Sequence, residues 1–155
     1  MKRRFYLGLA VMLALSALVV HAGCSRTPGA GSYKSNGERI YFTSTSASGD
    51  RISYTGGPGG MMQGPLACVT CHGPQGHGGT VQFMMQSFDV PNITWPELTG
   101  PDPDMEHPPY TEETLKRAIT EGIDPGGDPL EYPMPRWSMS AGDLNDLVGF
   151  IKTLK

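Results

Sequence analysis

The sequence predicts a small, mostly α-helical fold: three to four helices and long loops wrapped round one flat, covalently held group. Three observations carry this expectation. Two stretches, Thr111 to Glu121 and Ser140 onwards, combine helical apolar periodicity with start and stop signals. Glycine contributes 21 and proline 14 of the 155 residues, and only 17% are charged. Loops therefore dominate, and an apolar core drawn from so short a chain is marginal unless something else fills it. The filler is indicated by Cys68, Cys71 and His72, which form C-x-x-C-H, the attachment pattern of c-type haem.

The spacing has a chemical reason. Two thiols three positions apart lie on one turn, where each can form a thioether to one edge of a porphyrin. The next residue then offers its imidazole to the iron as the proximal ligand. With three cysteines and four histidines in the chain, the pattern arises by chance in on the order of one such chain in a thousand. The competing readings are a redox dithiol and half of a zinc site. The first wants a βαβ context, which is absent. The second wants four ligands, yet the sequence has no second C-x-x-C and no H-x-x-x-H. The expected cofactor is therefore one covalent haem c, with Cys68 and Cys71 as thioethers and His72 on the iron.

Taken in order, residues 1–23 read as an export signal. Lys2, Arg3 and Arg4 form a basic start, and the apolar run from Phe5 to Val20 is too short for a comfortable membrane span. The segment ends Val19-Val20-His21-Ala22-Gly23-Cys24, small residues before a cysteine, similar to a bacterial lipoprotein signal; His21 departs from the apolar residue usual there. Cleavage after Ala22 is the competing reading. It leaves an unpaired exported thiol, so lipidation of Cys24 is favoured. Residues 24–35 are rich in Gly and Ser and read as a flexible tether. Residues 36–155 form the domain proper.

Asn36 is the expected cap of a short helix through Phe42, with Gly37, Ile40 and Tyr41 on one face. Residues 43–67 read as a long loop or hairpin leading to the haem motif. His77 is a conceivable second ligand, but it lies only five residues from His72, too near to reach the opposite haem face. The proline-rich stretch 80–110 reads as mostly loop over one haem edge. Trp95 is a candidate to pack on the ring or donate its indole N–H to a propionate, and Trp137 is a second candidate for haem packing. Asn92-Ile93-Thr94 is a glycosylation sequon, disfavoured by the bacterial-type signal.

Thr111 caps the next helix, Leu115, Ala118 and Ile119 form its buried face, and Gly122 ends it. The acids of Asp124 to Asp128 do not meet the EF-hand pattern and read as a turn. Then comes Tyr132-Pro133-Met134-Pro135-Arg136-Trp137. Pro133 fixes the backbone before Met134, and Pro135 pushes Met134 into an extended conformation, which suits a thioether presented at a defined point. Ser140 caps the last helix, with Leu144, Leu147, Val148, Ile151 and Leu154 on one face and Phe150 at its edge.

The formal charge is −3. Without the three basic residues of the signal it becomes more acidic still. No basic face remains for nucleic acid, which is excluded as a partner.

Over about residues 36–155 the chain resembles the class I (mitochondrial-type) monohaem cytochrome c domains. The residues that carry the resemblance are Cys68-Val-Thr-Cys71-His72-Gly73, Met134-Pro135-Arg136-Trp137 and the amphipathic helix from Asp143 to Leu154. It implies that His72 and Met134 are the axial ligands. It implies too that the first and last helices cross near a glycine and an aromatic, places that Gly37 and Phe150 fit, with Tyr41 nearby. The chain departs from compact members in the long Gly-rich stretch before Cys68. The resemblance implies an electron carrier with no catalytic residues. The competing readings, a peroxidase-like haem enzyme or a haem sensor, need a displaceable sixth ligand. For the enzyme, His107 is the best distal candidate; for ligand exchange, Met139, Met84 and Met85 are the alternative thioethers. The expected partners are membrane or periplasmic redox proteins in transient docking. The expected location is the periplasmic side of a bacterial membrane, with the anchor on Cys24.

Overall fold

The computed structural model describes residues 33–57, 66–83, 85–101 and 107–155. The signal, Cys24 and the tether up to residue 32 lie outside them, as do Met61, Met62, Met84 and Met105. Tyr33 to Ser35 belong to the folded unit.

The first helix, α1 (Asn36–Thr43), starts one residue earlier than expected. Its cap is Ser35, whose hydroxyl accepts the Glu38 N–H at 3.0 Å. Asn36 is drawn away from that role by partners elsewhere. Its amide nitrogen donates to Asp143 Oδ1 at 2.9 Å and Asp146 Oδ2 at 2.7 Å, and its Oδ1 accepts the Ala47 N–H at 2.6 Å. With two capping residue types adjacent, the one not engaged across the fold takes the cap. Gly37, Ile40 and Tyr41 are buried as the periodicity requires.

Those residues meet the last helix, α5 (Ala141–Ile151), whose cap is Ser140 accepting from the Asp143 N–H at 3.1 Å. Leu147, Val148 and Ile151 are buried on its inner face. Burying side chains of this size stabilises by about 1.5–3 kcal/mol each. That exceeds the about 1 kcal/mol of a typical hydrogen bond, so apolar contact holds the crossing and Asn36 sets its register. The two backbones touch where Gly37 sits: a Cβ there would lie 1.9 Å from the Asp146 carbonyl oxygen and 2.9 Å from Phe150 Cβ. The Tyr41 and Phe150 rings meet at 5.2 Å beside it. The crossing near Gly37 and Phe150 therefore forms as expected.

The helix over residues 111–121 also forms as read. This helix, running Glu112–Glu121, is numbered α4 below. Thr111 caps it, Leu115, Ala118 and Ile119 are buried, and Gly122 ends it in the left-handed conformation at φ 69°. Its Glu112 pairs with Lys152 just beyond α5, and the Lys152 hydrogen bond and charge hold the Glu112 carboxyl below its usual range.

The sheet content corrects the mostly α expectation. Among the described residues there are five helices and two two-stranded antiparallel sheets. Two of the helices are single turns, α2 (Cys68–His72) and α3 (Trp95–Thr99). The stretch read as mostly loop contains a hairpin, β2 (Gly79–Phe83) against β3 (Gln86–Val90), as well as α3. Its tip carries Met85, fully exposed, in place of the Asn-Gly or Asp-Gly that marks a tight turn. Within residues 43–67, Thr45 and Arg51 bridge locally. The following strand, β1 (Ser53–Thr55), pairs far along the chain with β4 (Arg136–Ser138), Tyr54 opposite Trp137.

Replacing Gly37 by Ala would gain helix propensity of about 1 kcal/mol, but forcing a methyl into the Asp146 carbonyl should cost more, for a net loss of about 1–3 kcal/mol. Denaturant unfolding of the haem-loaded protein followed by circular dichroism checks this. An unchanged midpoint would mean that the two helices can part without cost.

Candidate functional site

Cys68, Cys71 and His72 all lie on α2, a turn too short to persist alone. It is fixed from three directions. Before it, the Ser44 hydroxyl donates to the Leu66 carbonyl at 2.6 Å. After it, the Tyr41 hydroxyl donates to the Gly73 carbonyl at 2.7 Å. Tyr41 is completely buried, and burial pushes its phenol well above its ordinary range, so it acts as a neutral donor. On that same side, the Gly78 N–H donates to the His72 carbonyl at 3.0 Å.

The third constraint acts on the imidazole. His72 is 7% exposed, and its Nδ1 lies 3.2 Å from the Pro91 carbonyl oxygen. A carbonyl can only accept, so Nδ1 carries the proton and Nε2 presents its lone pair. Burial lowers the His72 pKa, and the Pro91 carbonyl only partly opposes this. The ring is thus neutral, oriented and basic at one nitrogen, as a metal-ligating histidine is when a carbonyl holds its other nitrogen. Glycine makes the contact possible: a Cβ at Gly78 (φ 66°) would lie 2.1 Å from the Val90 carbonyl oxygen and 2.5 Å from that of Pro91.

The two cysteines carry free thiols and pack at the margin of the apolar core. Although each residue is half-buried, burial pushes the Cys68 thiol up to about 12, with the neighbouring Cys71 adding to it, and raises Cys71 also. Thiols shifted upward by burial disfavour the thiolate that a redox dithiol needs. Among the described residues, no group of three or more His, Cys, Asp or Glu side chains gathers as a metal site. The unpaired thiols, the free Nε2 and the apolar margin fit a covalent porphyrin.

Met134 is half-buried against the same core. Its N–H donates to the Glu131 carbonyl at 3.1 Å. The prolines beside it pack against Gly57 (φ 71°), where a Cβ would lie 2.9 Å from the Pro133 oxygen and 3.1 Å from Pro135 Cβ. Trp137 is buried in β4 with its ring 5.0 Å from that of Tyr54. Trp95 is half-buried at the start of α3, where its backbone N–H donates to the Leu154 carbonyl at 3.3 Å and the Lys152 ammonium lies 5.3 Å from its ring centre. His77 Nε2 lies 3.0 Å from the Lys155 carbonyl oxygen, and the His107 ring is edge-on to Tyr110 at 5.2 Å. Met139 packs against the core. Asp124 is occupied as a turn cap, its Oδ1 accepting from Gly127 at 2.8 Å and Asp128 at 2.9 Å.

Residues 37–155 match the family model for Cytochrome c. The chain belongs to the cytochrome c family. No curated protein and no solved structure matches it. A cytochrome c domain binds covalent haem c and serves electron transfer, and Cys68, Cys71 and His72 supply the C-x-x-C-H that such attachment needs.

Two contributors to this cytochrome c site escape sequence reading. Pro91 acts through a backbone carbonyl, which any residue possesses, so no signal could have marked it. Tyr41 was legible as a buried helix position but not as the donor to Gly73. Tyr41→Phe keeps the ring and deletes the donor. It should destabilise the haem-loaded cytochrome by about 1 kcal/mol, measured by thermal or denaturant unfolding; no loss would mean that water serves the Gly73 carbonyl equally well.

Proposed function

We propose that this cytochrome c is a single-electron carrier with His72 and Met134 as axial ligands and Cys68 and Cys71 as the thioether residues. The observation that carries the reading is the bond between His72 Nδ1 and the Pro91 carbonyl at 3.2 Å. It holds the ring in one orientation with Nε2 available, and so removes the need to reorganise the proximal side. When bound, haem c supplies a one-electron Fe(III)/Fe(II) couple, and a thioether ligand raises its potential. Met134 suits the sixth position because two prolines, the Glu131 carbonyl and Gly57 fix its backbone. Trp95 and Trp137 are the aromatic candidates to pack on the haem.

Filling both axial positions with protein side chains leaves none for a substrate, which separates this reading from the peroxidase-like or sensor alternative. Neither rival gains support from His107, whose ring is engaged with Tyr110 and whose Nδ1 lies 2.9 Å from the Pro108 oxygen. The partners proposed are membrane or periplasmic redox proteins, met in weak, transient encounters. Export to the periplasmic side of a bacterial membrane and lipidation of Cys24 would raise the local concentration of membrane-bound partners.

The visible spectrum of the purified protein, oxidised and reduced, with and without carbon monoxide, tests the ligand set. A low-spin c-type spectrum indifferent to carbon monoxide is expected. A high-spin spectrum, or one shifted by the gas, would favour an accessible iron and hence the enzyme or sensor. Met134→Ala should keep haem attached and open the iron; a native low-spin spectrum in that variant would remove Met134 from the site. Cys68→Ala with Cys71→Ala should abolish covalent haem, read by mass spectrometry after denaturation.

A further inference from the structure

Residues 122–136 form a closed loop, and Arg136 closes it. The loop leaves the C-terminus of α4 at Gly122. It turns back where Ile123 bridges Pro129, and the Leu130 N–H donates to the Gly122 carbonyl at 2.7 Å. It then passes through Met134 and joins the sheet at Arg136, opposite Thr55. The half-buried Arg136 side chain points back into the loop it has just ended. Its Nη1 donates to the Met134 carbonyl at 3.2 Å and its Nη2 to the Leu130 carbonyl at 3.4 Å. The rest of the guanidinium lies against Gly122, where a Cβ would come within 2.4 Å of Nε. A fixed cation at that point also complements the carbonyl end of α4.

We infer that Arg136 is the positioning residue for the Met134 thioether: it ties the carbonyl of Met134 itself to the C-terminus of α4 and so resists displacement of the sulfur from the iron. This rests on the proposed reading of Met134 as the sixth ligand. Three features distinguish it from a surface arginine. The planar fork reaches two carbonyls of one loop, which a lysine ammonium cannot match in geometry. The niche at Gly122 has no room for a side chain there. The backbone of Arg136 is fixed in a ladder, so the restraint on the loop is referred to the sheet and to α4 at once.

The test compares the haem-loaded wild type with Arg136→Lys, Arg136→Ala and Met134→Ala. Each is titrated upwards in pH while following the thioether–iron charge-transfer band of the oxidised protein, and each reduced form is mixed with carbon monoxide. Helix content and covalent haem are checked in parallel. Arg136→Ala should keep its haem and helices, lose the thioether band about one pH unit earlier and bind carbon monoxide about tenfold faster, the effect of losing the charge-assisted bond to the Met134 carbonyl. Arg136→Lys should fall between it and the wild type. If Met134→Ala loses the band while both arginine variants keep the wild-type midpoint and still exclude carbon monoxide, Met134 is the ligand and Arg136 does not position it. If Met134→Ala keeps the band, the sixth-ligand reading itself fails and this inference with it. Loss of helix content in both arginine variants would also overturn it, because Arg136 would then be a requirement of the fold.

Discussion

The close approach of α1 to α5 at Gly37 is the constraint on which the core and the attachment half of the site depend. Without a side chain at that position, the Asp146 carbonyl comes within a distance that any Cβ would forbid. This lets Ile40 and Tyr41 on one helix and Leu147 and Val148 on the other bury almost completely. Tyr41 is then carried deep enough for its hydroxyl to reach the Gly73 carbonyl. The helix crossing therefore contributes more than core: it delivers a hydrogen-bond donor to the end of the attachment turn. A fold in which the helices stood further apart would leave α2 without that tie.

Backbone carbonyls serve as the fixed points of the site. Those of Leu66, Gly73 and Pro91 hold the attachment turn and its histidine, while those of Glu131, Met134 and Leu130 hold the methionine loop. A chain so rich in glycine and proline has many carbonyls outside regular ladders. Each buried one needs a donor. Directing a tyrosine, a histidine and an arginine at them satisfies the acceptors and orients the donors in one arrangement. The glycines at 57, 78 and 122 are where these approaches would otherwise collide with a side chain.

What could be read from the sequence follows from the range of the interaction responsible. The caps at Thr111 and Ser140, the stop at Gly122 and the buried face of α4 depend on neighbours within a turn or two, and they form as read; α5 buries Leu147, Val148 and Ile151 but ends at Ile151, short of Leu154, and leaves Leu144 half-buried. The glycine and aromatic of the helix crossing were legible only through the family resemblance. The cap falls at Ser35, one residue before the expected Asn36, because the side chain of Asn36 is claimed by Asp143 and Asp146, partners more than a hundred positions away. The pairing of Tyr54 with Trp137 is likewise set by tertiary approach, and three-residue strands carry no usable alternation. The hairpin over 79–90 does alternate, with Val81 and Phe83 facing Phe88 and Gln86 in register, but its methionine tip hides it. Of the site, residue types and spacing announced Cys68, Cys71 and His72, while the orientation of His72 depends on a carbonyl that no sequence pattern marks.

The two halves of the site rest on separate supports. His72 is referred to α1 through Tyr41 and Gly73, and to the end of β3 through Pro91. Met134 is referred to α4 through Arg136 and Gly122, and to the β1–β4 pair through Trp137 and Tyr54. Among the described residues, no single hydrogen bond serves both. A change confined to the methionine loop therefore leaves the attachment turn and the helix crossing in place, since their ties do not pass through it. Interactions without shared partners behave nearly additively, so, on the proposed ligand set, perturbing Met134 should change the iron's surroundings without dismantling the proximal side. That separation allows one face of a cofactor to be adjusted during evolution while the covalent attachment on the other stays fixed.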